Sequence, residues 1–352
     1  MEKKQAIQIL RAAAALGVVL YHLLDISAGH FRSHLSFGLG RSGVDVFFVI
    51  SGFVIAASGL RDRSPIAFLR RRIARVIPLY WLLTLAGFLV GIAVPGALKQ
   101  TSLEPAHLLK SLLFITDTKG DQVILPILYL GWTLNYEMYF YVAFGICLAV
   151  TSRPILLMSA VFISIVLLHV MFPPHVAALS FYSGSIMLEF IYGLALYQLT
   201  NGGSRIWTSQ WILLPVGGAM LCAAFFFHPV WPRCIVYGVP AATIVAGALG
   251  IPNKDWRFLR WGEALGDASY SIYLVHFFLI GAATILVKRL LGAATPGLAL
   301  LTMTVVVLPG TIISSLALYR FFERPMNRWL SGRHAAAMLR QPAPVPQGQS
   351  GT

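Results

Sequence analysis

Long apolar segments recur along most of this 352-residue sequence, and they constrain its fold more than any other feature. A helix needs about 20 apolar residues to cross the roughly 30 Å hydrocarbon core of a bilayer. Ten segments come close to that length, and 57% of all residues are hydrophobic while only 11% are charged. The sequence therefore predicts an all-α polytopic membrane protein, a bundle of about ten transmembrane helices. The predicted spans are 6–28, 42–60, 77–97, 131–150, 154–172, 178–199, 210–227, 233–250, 266–287 and 297–319.

One membrane domain over residues 1–330 accounts for these spans, and no internal repeat is visible. The segment 101–130 is long and half apolar, so part of it is expected to lie along the membrane interface or to re-enter the bilayer. From Ser331 onward the composition turns to Ala, Pro, Gln and Gly, which cannot bury a core. Residues 331–352 are therefore predicted to form a disordered C-terminal tail.

The formal net charge of +14 is concentrated in short loops between apolar segments. This distribution indicates membrane topology rather than nucleic-acid binding. Counting Lys and Arg in alternate loops places the amino terminus, residues 61–75, residues 253–260 and the region after Arg320 on one side. Since cytoplasmic loops carry the excess of Lys and Arg, both termini are predicted to be cytoplasmic. The opposite loops carry cations that weaken the contrast: Arg32, Arg41, Lys99, Lys110, Lys119, Arg233, Lys288 and Arg289.

The cysteines and the known nucleophile motifs give little guidance. Cys147, Cys222 and Cys234 are too few and too scattered for a metal site or a disulfide framework, so they are expected to be packing residues. The sequence has no Gly-x-Ser-x-Gly elbow, no Walker loop and no zinc-ligand spacing. An enzyme with this sequence would therefore use the hydroxyl of its substrate as the nucleophile.

Polar residues inside the predicted spans are few, and each costs on the order of 3 kcal/mol on insertion-type scales. Arg11 and His22 lie about 16 Å apart along the first helix and within about 20° of the same face, which favours a polar cavity crossing part of the bilayer. The structural alternatives are a snorkelling arginine and a histidine bonded between helices. An imidazole facing a cavity is a candidate general base. The other polar residues are Asp25, Asp45, Glu137, His169, Glu189, Asp267 and His276.

Seven motifs follow one another between residue 6 and about residue 328. They are LRAAAALGVVLYH (10–22), SGVDVFFVISGF (42–53), FLRRRIARVIPLYW (68–81), GWTLNYEMYFY (131–141), LEFIYG (188–193), LGDASYSIYLVHF (265–277) and YRFFERP (319–325). In this order they resemble the bacterial membrane acyltransferases of acyltransferase type 3. The opening IQILRAAAALGVVLYH is most similar to members that modify exopolysaccharide.

The resemblance implies transfer of an acyl group, often acetyl from acetyl-CoA, to a hydroxyl of a surface or exported glycan. Acyl-CoA is then a co-substrate, and neither a permanently bound cofactor nor a metal is expected. The implied partners are a carbohydrate acceptor, the lipid bilayer and polysaccharide assembly machinery, with no role for nucleic acid. The implied location is the bacterial cytoplasmic (inner) membrane.

The resemblance also makes Arg11 and His22 essential. His22 would take the proton of the acceptor hydroxyl, which then attacks the thioester and expels CoA thiolate. Arg11 would orient the donor or stabilise developing negative charge. Arg72 and Arg75 match the paired arginines of the family; they face one way on a helix, and their guanidinium groups suit phosphate oxygens. The alternative for this pair is an anchor for anionic lipid, the role expected of Arg70 and Arg71.

For several further residues the sequence allows both a functional and a structural role. Glu137 is expected to orient His22 or to bind acceptor hydroxyls, unless it forms only an interhelical hydrogen bond. Trp132 and Tyr136 are candidates to line a sugar site beside it. Weaker candidates for substrate binding are Asp45, Glu189 and His276. Glu323 and Pro325 are expected to close the last helix.

Transport is the competing function, because spans with buried charges are also typical of membrane transporters or exporters of small polar solutes or glycans. The missing internal repeat and the lack of paired broken helices argue against transport. A structural or sensor protein would leave Arg11 and His22 without a use. The sequence therefore favours the enzyme.

Overall fold

The computed structural model describes residues 5–31, 35–94, 101–201, 210–253, 257–291 and 295–338. In these ranges nine helical segments are long and apolar enough to cross a bilayer, and the apolar helix Cys234–Leu249 is shorter. The predicted all-α membrane fold is confirmed, and the protein is a multi-pass membrane protein.

The long helices are α1 (Gln5–Phe31), α2 (Gly43–Asp62), α3 (Pro65–Ala93), α5 (Gly131–Val150), α6 (Pro154–Met171), α8 (Met187–Asn201), α9 (Leu213–Phe227), α12 (Ser269–Leu291) and α13 (Pro296–Leu318). The shorter ones are α4 (Pro105–Leu112), α7 (Ala177–Ser183), α10 (Val239–Leu249), α11 (Arg257–Asp267) and α14 (Arg324–Met338). A π-helical turn precedes α10 at Cys234–Gly238, and another joins α13 to α14 at Tyr319–Glu323. The part of the predicted tail beyond Met338 lies outside the described residues.

Helix α3 begins earlier than the sequence predicts. A basic loop was expected over residues 61–75, yet α3 starts at Pro65. Ser64 caps this helix by accepting a hydrogen bond from the backbone N–H of Ala67 at 3.3 Å, and proline suits the first helical position. Arg72 and Arg75 therefore lie on a helix rather than in a loop. A hydropathy criterion misses the first turns of α3 because it counts the charges of their arginines and ignores the long aliphatic parts of those side chains.

Helices α2 and α8 are in backbone contact through two glycines. A Cβ atom added at Gly52 would lie 2.1 Å from the carbonyl oxygen of Phe190, and one added at Gly193 would lie 2.1 Å from that of Val49. Gly52 and Gly193 therefore lie where small residues let two membrane helices approach closely. This contact fixes the height of α8 against α2.

The segment between α3 and α5 forms a small folded unit. It contains α4 and a two-stranded antiparallel hairpin, β1 (Asp117–Lys119) and β2 (Gln122–Ile124), with Thr118 opposite Val123. The Tyr80 hydroxyl and the Trp81 indole N–H on α3 donate to the carbonyl oxygens of Ser111 and Leu112, at 3.0 and 2.8 Å. These bonds tie the unit to α3.

Candidate active site

A cavity of about 90 Å³ lies between α1, α2, α3, α5 and α12. Four of the candidate residues line it together: Arg11, Arg72, Arg75 and Glu137. Three guanidinium groups and one carboxylate line the cavity, so its own lining is positively charged. The carboxylates of Glu323 and Asp267 act on Arg11 from outside the lining and offset part of that charge. The other polar residues of the lining are Ser51, Thr133, Tyr141, Ser269, Tyr270 and Tyr273.

The two arginines of α3 differ in their surroundings. Arg72 is buried, and its Nη2 donates to the carbonyl oxygen of Val54 at 3.4 Å and to the hydroxyl of Ser58. Its guanidinium carbon lies 5.6 Å from the ring centroid of Phe68. Arg75 lies three residues later, is half-buried, and makes no hydrogen bond within the described part of the chain. Arg75 interacts electrostatically with Glu323 and Glu137, but its N–H groups are not used in hydrogen bonds among the described residues, whereas Arg72 is held in the wall.

Arg11 also faces the cavity with unused donors. Its Nη1 donates to Oε1 of Gln8 at 3.2 Å, and it interacts electrostatically with Glu323, among other charges. Glu323 lies in the π-helical turn and is buried, and it accepts a hydrogen bond from Ser271 at 2.7 Å. From the sequence, Glu323 is expected only to close the last helix. The structure places its carboxylate close enough to act on the arginine cluster electrostatically, and the π-helical turn that brings it there leaves no clear signal in the sequence.

Glu137 is fixed at the edge of the cavity by two hydroxyl groups. Ser51 on α2 donates to its Oε1 at 3.0 Å, and Tyr141, one turn further along α5, donates to the same oxygen. The described structure records no hydrogen bond between Glu137 and His22. Glu137 is held by side chains of α2 and α5 instead, so a role in orienting His22 or in binding acceptor hydroxyls stays a prediction.

His22 does not line this cavity. Its ring is half-buried among aromatic rings, with centroids 5.4 Å from His276, 5.9 Å from Tyr129 and 6.3 Å from Phe277. A chain of contacts leads to the cavity: the His276 ring is 6.1 Å from that of Tyr273, which does line it. The expectation of one open cavity serving both Arg11 and His22 is not met, since aromatic side chains of α12 fill the space between them.

A second polar cluster joins α2, α8 and the start of the shorter apolar helix. Asp45 is wholly buried and accepts two hydrogen bonds from Arg233, whose Nε also lies 4.0 Å from Oε1 of Glu189. From the sequence, Arg233 is expected to be only a loop charge, and nothing in its immediate neighbourhood indicates this role. Two carboxylates buried in neighbouring helices were the available signal, since such charges require a cation nearby.

The aromatic candidates for a sugar site are engaged within the protein. Tyr136 is buried, its hydroxyl donates to the carbonyl oxygen of Phe181 at 2.7 Å, and its ring stacks on that of Phe181 at 4.2 Å. Trp132 meets the Tyr136 ring edge-on at 6.2 Å. In this arrangement the hydroxyl of Tyr136 is not offered to a ligand. Among the described residues, no group of three or more His, Cys, Asp or Glu side chains is arranged to hold a metal.

The helical bundle encloses an arginine-lined cavity in a multi-pass membrane protein. Comparison with known proteins gives its class. A family profile described as "Acyltransferase domain" matches residues 4–320. The chain is 33% identical to the exopolysaccharide production protein ExoZ of Rhizobium meliloti (strain 1021), over 91% of this chain and 98% of ExoZ. It is 26% identical to the acyltransferase MdmB of Streptomyces mycarofaciens, over 95% and 94% of the two chains.

No solved structure matches the chain. The profile and these relatives cover nearly all of the sequence, so the chain belongs to the acyltransferase type 3 family of membrane proteins. It is an O-acyltransferase. The resemblance seen in the seven motifs is confirmed.

Proposed function

We propose that the protein transfers an acyl group, acetyl in the simplest case, from acyl-CoA to a hydroxyl of an exported polysaccharide. Family membership supports acyl transfer, and the name of ExoZ links that relative to exopolysaccharide production. The observation that carries the choice of donor is the cavity with three arginines and one carboxylate. The phosphates of CoA are anions that forked guanidinium groups bind well.

Two arginines of the cavity lie towards the ends at which α1 and α3 begin. Arg11 is six residues from the start of α1 and Arg75 is ten residues from the start of α3, so they lie about 9 and 15 Å along their helices. The loop charges assign this side to the cytoplasm, and we propose the bacterial inner membrane with both termini inside. Acyl-CoA made in the cytoplasm would then reach Arg11 and Arg75 directly.

His22 is the proposed general base. It lies about 16 Å beyond Arg11 along α1, a distance comparable with the reach of an extended pantetheine arm. His22 would take the proton of the acceptor hydroxyl as the oxygen attacks the thioester carbonyl. The C–S bond then breaks, and the leaving thiolate takes the proton back from His22. General-base catalysis of this kind typically supplies about 10²- to 10⁴-fold in rate.

The acceptor would approach from the side opposite the arginine cavity. His22 is half-buried, and Asp25, one turn later on α1, is exposed. A hydroxyl can therefore reach His22 without passing the arginines. The competing function, transport, receives no support from the family to which the chain belongs.

Purified protein in lipid vesicles tests this proposal. With acetyl-CoA and deacylated exopolysaccharide as substrates, the wild type should release CoA and form esters detectable by NMR or mass spectrometry. His22→Ala should abolish transfer while the protein still accumulates in the membrane. Arg11→Ala should be comparably damaging, and Arg11→Lys should rescue only in part because a point charge lacks the guanidinium fork.

The matched control is His30→Ala, which changes an exposed histidine of the same helix and should leave transfer unchanged. Near-normal turnover of His22→Ala would remove His22 from the mechanism. Absence of ester formation by the wild type on hydroxyl-bearing glycans would contradict the proposed function.

A further inference from the structure

His276 carries a buried acceptor atom with no partner. The side chain is wholly buried on α12, and its Nδ1 lies 3.1 Å from the carbonyl oxygen of Ile272. A carbonyl oxygen only accepts, so Nδ1 holds the proton, and a neutral imidazole then has a lone pair on Nε2. Within the described part of the chain this Nε2 has no hydrogen-bond partner. Such a group is costly in a folded protein, which suggests that it gains a partner during function.

His22, the neighbour of His276, also lacks a hydrogen-bond partner within the described part of the chain. The described structure gives the His22 nitrogens no hydrogen bond, and rings of Tyr129, Phe277 and His276 surround it. A catalytic base is ordinarily held by a third group that bonds its second nitrogen. Packing alone therefore orients His22 before the reaction, and its second nitrogen has no partner to stabilise the ring when the first nitrogen takes a proton.

The distance between the two histidines suits a hydrogen bond. Their ring centroids lie 5.4 Å apart, and the ring planes are inclined by 29°. Two imidazoles joined by an N–H···N bond of about 3 Å have centroids roughly 5 Å apart, because each ring adds about 1 Å. Rotation of the rings can thus form the bond with little movement of α1 against α12.

We propose that His276 is a positioning residue for His22: its Nε2 accepts a hydrogen bond from the second ring nitrogen of His22, while the first nitrogen takes the proton of the acceptor hydroxyl. His276 neither gains nor loses a proton. The proton moves from the hydroxyl to His22 and then to the leaving thiolate. This inference rests on the proposed function, since it takes His22 as the base of acyl transfer.

Two substitutions separate the acceptor role from packing. His276→Phe keeps an aromatic ring but has no acceptor, and it should lower kcat about 10- to 100-fold, the usual worth of a hydrogen bond to a charged group. His276→Gln offers an amide oxygen and should retain clearly more of kcat than the Phe variant. Neither should change the KM for acetyl-CoA, because His276 does not line the arginine cavity.

His30 provides the matched control. Its Nδ1 makes the same type of bond as that of His276, to the carbonyl oxygen of Ile26 at 3.1 Å, but the side chain is exposed. His30→Phe and His30→Gln should both leave kcat unchanged. Binding of acetyl-CoA to each variant reports that the bundle is folded, and His276→Met replaces the Phe variant if that one fails to accumulate.

Equal kcat for the Phe (or Met) and Gln variants, or an effect on the KM for acetyl-CoA alone, would overturn the role of His276 while leaving the proposed function intact. Failure of the wild type to transfer acyl groups at all would instead contradict the proposed function. The two failures are thus distinguishable in one series of assays.

Discussion

Arg233 holds Asp45 through two hydrogen bonds, with Nε 2.8 Å from Oδ1 and Nη2 3.0 Å from Oδ2. The two residues are 188 positions apart in the chain. Glu189 on α8 contributes a second carboxylate, 4.0 Å from the same Nε. One guanidinium group therefore lies beside two acidic side chains that are both wholly buried, and it brings three helical elements together.

Replacing Arg233 by methionine should strongly destabilise the protein. The substitution leaves two buried carboxylates without a cation, and breaking a buried ion pair typically costs about 3–5 kcal/mol. Asp45→Asn should cost less, since Glu189 remains as a partner for Arg233. Thermal unfolding in detergent, followed by size-exclusion chromatography, measures both. Arg153→Met, at an exposed position, serves as control; an equal Tm for Arg233→Met and this control would contradict the argument.

Arg75 and Arg72 should respond differently to truncation. Arg75→Ala removes from the cavity a guanidinium group that makes no hydrogen bond in the described residues. The KM for acetyl-CoA should therefore rise about tenfold or more, while the KM for the acceptor stays unchanged. Arg72→Ala removes a side chain bonded to Ser58 and Val54, and should mainly lower the Tm. Arg70→Ala is the control, since Arg70 bonds the carbonyl oxygen of Leu330 and does not line the cavity. Identical kinetics for Arg75→Ala and Arg70→Ala would exclude Arg75 from donor binding.

Asp117 should make the unit between α3 and α5 sensitive to acid. Burial alone would raise the pKa of Asp117, but hydrogen bonds from Lys110 and His107, at 2.6 and 2.8 Å, outweigh it and hold the pKa below its ordinary value of 3.8. A carboxyl group with a lowered pKa stabilises the fold above its unfolded-state pKa. That contribution is lost as the pH falls through the folded-state pKa.

Asp117→Asn should therefore speed amide hydrogen exchange in β1 and β2 at pH 7. The difference from the wild type should fade well below pH 3.8, where the wild-type carboxylate is also protonated. Asp121→Asn, an exposed change in the same hairpin turn, should have no such effect. If hydrogen exchange in Asp117→Asn differs from that in the wild type equally at pH 7 and well below pH 3.8, the charge of Asp117 does not matter.

The orientation in the membrane can be tested with single cysteines. In a background without Cys147, Cys222 and Cys234, Asp62→Cys and Ala335→Cys should resist an impermeant maleimide in intact cells and react after permeabilisation. Both outcomes follow from the placement of α2's end and the carboxyl-terminal region in the cytoplasm. Labelling of either residue in intact cells would reverse the orientation and, with it, the side from which the donor enters.

The sequence alone was sufficient for the class of fold and for most of the arginine site. Apolar length predicts the spanning helices, and the spacing of Arg72 and Arg75 predicts that both face one way, as they do in the cavity lining. These features depend only on the chain's local geometry, since each helical residue turns by about 100° and rises by 1.5 Å. The family motifs added Arg11 and Glu137 to the same site.

Only the tertiary structure decided which neighbouring helix packs against the polar face of each helix. His22 stands against His276 of α12 instead of opening on the cavity of Arg11, and Glu137 is bonded to Ser51 instead of His22. Asp45 likewise finds its cation in Arg233, which no local pattern connects to it. The rotation and height of a helix within a bundle are set by side-chain packing and close glycine contacts between distant segments. Helical periodicity fixes which residues share a face, but it carries no information about the partner that covers that face.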